Sequence, residues 1–296
     1  MSATKLPPLS AIRVFEAAAR HLSFTKAAAE LGMTQAAVSY QIKVLEEKVG
    51  QPLFLRKTRQ VSLTQAGARF APEVSDAFSK LGSAFEALSN DISGTLRVSI
   101  GPTFASNWLA SRIGHFQIEN PGLALRLEQS PKFVDFSRHP ADLAIRAGLG
   151  DWPGLICHKL FDATFTPMLS PKLAESIGGV STPSDILKLP IIDPTDPWWN
   201  VWFAAAGLDP DLLEGRTQSR MGTQSVEAQI AIAGGGVAIL TPAFNQHELE
   251  LKRLIQPFDI IGRTGSAYWL VYQEARRNVP KIRLFRDWIL SAAGQR

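Results

Sequence analysis

The chain has one cysteine, Cys157, in 296 residues. A single thiol forms no intrachain disulfide, which fits a reducing compartment. No apolar run approaches the roughly 18 residues of a membrane span, and the N-terminus shows no charged-then-apolar signal pattern. The expectation is a cytoplasmic protein with no membrane partner. Catalytic signatures are missing as well. Cys157-His158 has no second pair at metal-ligand spacing, so no metal site is expected. Gly234-Gly235-Gly236 lacks the spacing and the following lysine of a phosphate loop and reads as a turn from helix into strand. No nucleophile elbow and no H-E-x-x-H occur. The chain is therefore not read as an enzyme, and no cofactor is expected.

Hydrophobic content of 45% and charged content of 20% are ordinary for a globular chain, and the length suggests two or three domains. The net charge of +4 is unevenly placed: residues 1–90 hold 11 Lys/Arg against 7 Asp/Glu, and the remainder is balanced. The excess lies where a polyanion would bind. No repeat or low-complexity tract is visible.

The informative stretch is Ser23 to Glu47. Ahead of it, Ile12, Val14, Phe15 and Ala19 make a helical pattern over Leu9 to Arg20. Ser23 and Thr25 are candidate caps for a helix from Thr25 to Leu31. Gly32 follows its last periodic residue, where a left-handed backbone suits glycine. Thr34 can cap a third helix reaching about Val49, with Gly50 as its stop. At about 100° per residue, Val38, Ile42 and Leu45 share one face of that helix, and Ala36, Ser39, Tyr40 and Lys43 the other. Two helices and a tight turn in this spacing are a helix-turn-helix, whose second helix enters the major groove. Small outward Ala36 and Ser39 allow close approach to base edges. Gln35 can pair with adenine, and Tyr40 and Lys43 suit phosphate or base-edge contact.

Leu53 to Leu55 and Val61 to Leu63 read as two short strands with Arg56, Lys57 and Arg59 around the tip, a basic wing beside the recognition helix. Thr64 then caps a long helix to about Leu88. Phe70, Val74, Ala77 or Phe78, Leu81, Ala84 and Leu88 form a seam along it. With no other domain to pack on, its expected partner is a second copy, which would suit a two-fold related DNA site. Pro72 should bend or restart the helix. Asn90 to Gly94 reads as a hinge.

Beyond it, strands expected at Thr95 to Ile100, Leu123 to Leu127, Leu143 to Arg146, Ile191 to Asp193, Arg216 to Met221, Gly236 to Leu240 and Ala267 to Tyr272 alternate with helical stretches. One such stretch runs from about Phe104 to Phe116. This predicts an α/β domain with a largely parallel sheet. Gly101-Pro102-Thr103 running into a helix offers free N–H groups and a hydroxyl to an anion, with Phe104 and Trp108 as an apolar wall. The loop Gly222 to Ser225 repeats that arrangement. Thr103 and Ser225 can equally be plain helix caps. Trp198, Trp199 and Trp202 read mainly as core.

The pieces AARHLSFTKAA, TQAAVS.QIK.LE and PLF.R..R...LT together resemble the DNA-binding domain of LysR-type transcriptional regulators, in the branch of glycine-cleavage activators and β-lactamase regulators. The family often has proline where Ala36 stands and arginine or histidine where Tyr40 stands; the Ala36 difference is usual in that branch. The segments RVSIGPTFASNWLASRIGHFQIENPGLALRL, DLAIRAGLGDWPGL and GGGVAI resemble the family's effector-binding domain. The resemblance implies an α/β protein overall: a winged helix-turn-helix over 1–63, a linker helix and hinge over 64–91, and two Rossmann-like lobes of periplasmic-binding-protein type over 92–296. Lobe I would take 92–162 and 266–296, and lobe II 163–265. The chain would cross between them near Phe161 to Phe165 and Arg263 to Gly265.

It also implies double-stranded operator DNA as partner, contacted through Gln35, Ala36, Ser39, Tyr40, Lys43, Arg56, Lys57 and Arg59. A small effector, an amino acid or carboxylate, would bind between the lobes near Thr103, Phe104, Trp108 and Ser225, with Phe165 and Thr241 as further candidates. Dimers or tetramers and a contact with RNA polymerase are further expectations. The alternatives are an effector domain used only for assembly, or a two-lobe binding protein or enzyme.

Overall fold

A computed structural model describes residues 6–57, 60–88, 94–136, 139–217 and 219–294. Arg59 and most of the expected hinge, residues 89–93, lie outside the described residues. The chain forms two compact units, residues 1–90 with 135–140, and residues 91–134 with 141–296.

The first unit has three short helices, α1 (Leu9–His21), α2 (Phe24–Leu31) and α3 (Gln35–Val49). Local chemistry sets their ends. Ser23 Oγ accepts from Lys26 N and Thr34 Oγ1 from Ala37 N, each capping a helix start. Gly32 (φ 63°) and Gly50 (φ 77°) end α2 and α3 in the left-handed region, as the sequence predicts. Strands β1 (Phe54–Lys57) and β2 (Gln60–Leu63) pair antiparallel. Thr64 Oγ1 accepts from Gly67 N and caps α4 (Gln65–Leu88).

The core of this unit is a ring cluster. Phe15 lies 5.5 Å from Phe54 and 5.1 Å from Phe70, and Phe24 meets Phe54 edge-on at 5.2 Å. Two expectations about α4 are corrected here. Its first half is not without a partner: Val74 is buried, and Phe70, Ala71 and Phe78 pack on the α1–α3 core. The seam thus serves the helix-turn-helix first, because burying these rings gains about 2 kcal/mol each. Pro72 neither interrupts nor restarts α4, which is continuous across it.

The second unit has a six-stranded sheet in the order β4-β3-β5-β8-β6-β7, built from β3 (Gly94–Ile100), β4 (Leu123–Gln129), β5 (Leu143–Gly148), β6 (Leu155–Met168), β7 (Ala238–Leu240) and β8 (Gly262–Gln273). The sheet is mixed, not largely parallel. β3 pairs parallel with β4 and β5, but β8 is antiparallel to both β5 and β6, and β6 to β7. The long strands β6 and β8 run out and back through both lobes, so their pairing must be antiparallel. Irregularities between Lys159/Phe161 and Asp162/Thr164 break their register midway.

Two lobes follow from separate cores. Lobe I buries Leu96, Val98, Ile100, Phe116, Leu270 and Phe285. Lobe II buries Phe165, Trp199, Trp202 and Phe203, with a smaller cluster of Met168, Ile192, Ala228 and Leu240. The expected helix from Phe104 is a π-helical segment, Phe104–Leu109, and α5 (Ile113–Glu119) follows after a turn. The remaining helices are α6 (Pro171–Glu175), α7 (Trp198–Ala205), α8 (Gln224–Ile232), α9 (Gln246–Glu250) and α10 (Pro280–Ala292). The strand expected at Arg216 to Met221 is absent among the described residues. Arg216 holds that segment through its side chain, donating to Leu187 O at 2.7 Å, instead of through a backbone ladder.

Candidate nucleic-acid interface and effector cleft

On α3, Val38, Ile42 and Leu45 are fully buried. Gln35, Ala36, Tyr40 and Lys43 are exposed and Ser39 is half-buried, so the face opposite the core is the one the periodicity selects. Tyr40 is 65% exposed, a large ring left in water. Lys43 pairs with Glu47 only at 3.8 Å and both are well exposed, so little energy keeps the lysine from a phosphate.

The helix is held from both sides. Glu46 Oε1 accepts from Leu53 N at 2.8 Å and Phe54 N at 3.0 Å, fastening the wing's base to α3. Glu30 on α2 meets Arg20 at 2.6 Å and His21 at 2.6 Å, and Arg20 also reaches Glu16. Hydrogen bonding from Arg20 holds the Glu30 carboxyl down at about 2. Arg56 and Lys57 lie at the outer end of β1; their side chains, like Arg59, are outside the described residues.

The effector candidates separate into three places. Phe104 and Trp108 are buried in an aromatic cluster: Phe104 stacks on Phe161 at 5.7 Å, and Phe244 meets Tyr268 at 4.9 Å. They can back a site more readily than touch a ligand. Phe165 is fully buried in the lobe II core, stacked on Trp198 at 4.3 Å. Thr103, Ser225 and Thr241 carry the hydroxyls. Thr103 has helical dihedrals and its side chain caps nothing. Ser225 is the second residue of α8, whose cap position is Thr223, and Thr223 makes no side-chain cap bond either. The capping alternative therefore fails for both. Ser225 Oγ and Thr241 Oγ1 are buried and make no hydrogen bond of standard geometry among the described residues.

Thr241 is the meeting point. Its N–H donates to Gln224 Oε1 on α8 at 2.9 Å, and its carbonyl accepts from Asn245. The Tyr268 phenol, on the lobe I strand β8, points at the Thr241 hydroxyl, which still completes no hydrogen bond of good geometry. Burial pushes the Tyr268 phenol up to about 12, so it stays a neutral donor. Sequence reasoning missed Tyr268, Phe161 and Phe244, since nothing local distinguishes them from core aromatics. A cavity of about 770 Å³ is lined by Ser106, Asn107, His115, Gln229, Phe244, Asn245 and Trp288; it shares Phe244 and Asn245 with these groups.

Residues 9–68 match the family model described as a bacterial regulatory helix-turn-helix protein of the lysR family, and residues 89–294 match the LysR substrate binding domain. The chain belongs to the LysR family. This LysR-type protein is 38% identical over 292 residues to the glycine cleavage system transcriptional activator of Escherichia coli K12, covering 98% of this chain and 95% of the relative. It is 35% identical over 291 residues to the transcriptional activator AmpR of Citrobacter koseri, covering 97% and 98%. The solved effector domain of AmpR from Pseudomonas aeruginosa aligns over 68% of this chain and 95% of its own, at 29% identity and TM-score 0.57. CrgA of Neisseria meningitidis, a LysR-type regulator at 24% identity, shares the fold over 98% of this chain and all of its own, at TM-score 0.58. The chain is thus a transcriptional regulator with an effector-binding domain, not an enzyme. LysR regulators bind DNA and small-molecule effectors and oligomerise. No helix among the described residues is long and apolar enough to cross a membrane.

Proposed function

We propose that this regulator reads a two-fold related operator in the cytoplasm. Gln35, Ala36, Ser39, Tyr40 and Lys43 lie in the major groove, and Arg56, Lys57 and Arg59 on the flanking backbone or minor groove. A small anionic effector sits between the lobes at Thr103, Ser225 and Thr241, in front of the Phe104 and Trp108 cluster, with Phe165 supporting from lobe II. Effector binding shifts a dimer or dimer-of-dimers between two states that differ in DNA contact and in engagement of RNA polymerase.

The observation that carries this reading is the pair of buried hydroxyls of Ser225 and Thr241, which complete no hydrogen bond of standard geometry among the described residues, where Tyr268 of lobe I meets Thr241 of lobe II. Buried polar groups are normally bonded, and a ligand would complete them. A cleft used only for assembly would be filled and apolar. A solved Citrobacter freundii effector domain carries threonine-to-valine, serine-to-alanine and tyrosine-to-phenylalanine substitutions, the same trio of residue types.

The test uses the full chain. A thermal-shift screen of amino acids and short carboxylates finds a stabilising ligand. Thr103→Val then removes the ligand response while operator footprinting persists; an unchanged response sinks the cleft. Ser39→Trp abolishes the footprint with assembly intact; a retained footprint sinks the groove assignment.

A further inference from the structure

The cavity of about 770 Å³ has the size of a small-molecule site, which is roughly 300–1,000 Å³. Lobe I supplies Ser106, Asn107 and Trp288 to it, and lobe II supplies Gln229, Phe244 and Asn245. Thr103, Ser225 and Thr241, the hydroxyls of the effector cleft, do not line it. Its lobe I wall is the π-helical segment. Ala110 N donates to Ala105 O at 3.0 Å, a wider step than an α-turn, and such turns often mark functional sites. Phe104 and Trp108 point from this segment into the aromatic cluster, while Ser106 is exposed and Asn107 half-buried. On the lobe II wall Asn245 is 1% exposed. Its Nδ2 donates to Thr241 O at 3.0 Å, and its Oδ1 completes no hydrogen bond of standard geometry among the described residues. Buried acceptors are normally bonded, so this carbonyl calls for a donor.

The charged side chains around the cavity have work of their own. Glu248 Oε2 pairs with Arg253 at 2.6 Å. Arg112 donates to Trp108 O at 2.9 Å and to Ser111 Oγ at 3.0 Å, with its guanidinium 4.7 Å above the Trp108 ring. His115, His247 and Glu250 stand exposed at the rim, and no one sign of charge prevails. Among the described residues no three His, Cys, Asp or Glu side chains are grouped to hold a metal. What faces a ligand is a set of amides and hydroxyls beside the rings of Phe244 and Trp288. An amide or hydroxyl side chain both donates and accepts. The matching ligand does both as well, through hydroxyl groups, and lays its C–H surface on the rings.

We infer that this cavity is a second ligand site, separate from the effector cleft, for an uncharged polyhydroxylated molecule of mono- or disaccharide size. Asn245 Oδ1 accepts from one of the ligand's hydroxyls, and Ser106, Asn107 and Gln229 bond the others.

The experiment titrates the full chain by isothermal calorimetry with neutral hexoses, disaccharides and inositols. At least one binds once per chain with Kd at or below about 1 mM, far under the concentrations at which sugars stabilise proteins by exclusion. Asn107→Ala and Gln229→Ala each weaken it about five- to tenfold, the scale of one hydrogen bond. Ser106→Trp fills the cavity from an exposed position and abolishes binding. Asn245→Ala weakens it too, and the three variants at less buried positions carry the test where this one folds poorly. Ser225→Ala leaves Kd within about twofold. The inference is overturned if no member of the panel binds, or if Ser106→Trp binds like the wild type. Binding lost in Ser225→Ala and kept in Ser106→Trp puts the sugar in the cleft and removes the second site. Tighter binding of gluconate or glucosamine than of glucose removes the uncharged class.

Discussion

The Glu227 carboxylate, 5% exposed in the first turn of α8, should be visible in stability. Its carboxyl rises from 4.5 to about 7 on folding, because burial and two aspartates disfavour the anion. The folded state therefore holds this proton more tightly than the unfolded chain. Below about pH 4.5 both states are protonated and the site costs nothing in ionisation. As pH climbs through 7 the folded state must accept the buried charge, and the loss levels off at about 3 kcal/mol. Glu227→Gln has the same shape and no charge. It should exceed the wild type by less than about 1 kcal/mol at pH 5 and by about 3 kcal/mol at pH 8. All seven tryptophans lie between Trp108 and Trp288, so tryptophan fluorescence in urea reports the effector unit alone. A difference between the two proteins that stays constant from pH 5 to 8 would refute the reasoning.

Two further perturbations address the DNA-binding unit. A Cβ at Gly67 would lie 2.1 Å from the Leu53 carbonyl oxygen, a backbone atom that cannot swing aside. Gly67→Ala should cost at least about 2 kcal/mol and weaken operator binding by displacing the wing from α4; circular dichroism melting that matches the wild type would show that α4 yields without cost. Phe85 is 72% and Leu81 48% exposed on the far half of α4, beyond the part that packs on the core. Phe85→Ser should lower the self-association constant at least tenfold in analytical ultracentrifugation, and an unchanged mass would exclude that face from assembly.

The helix-turn-helix was legible because its signals are local. Ser23, Thr34, Gly32 and Gly50 act on their own backbones within a few residues, and the 3.6-residue period alone places Val38, Ile42 and Leu45 inward. The unpartnered expectation for α4 failed because Phe70 and Val74 bury against Phe15, more than fifty residues earlier, and a helical stripe does not say what covers it. The same limit governs the cleft. Thr103 and Ser225 stand out as hydroxyls at the starts of helices, whereas Tyr268 looks like any other strand aromatic. Only the antiparallel return of β8 beside β6 brings Tyr268 to Thr241. Sequence by itself determined the DNA-reading element, since caps and periodicity act over one or two turns. Tertiary structure decided the chemistry of the cleft, since burial and hydrogen-bond partners depend on chain segments far apart in sequence.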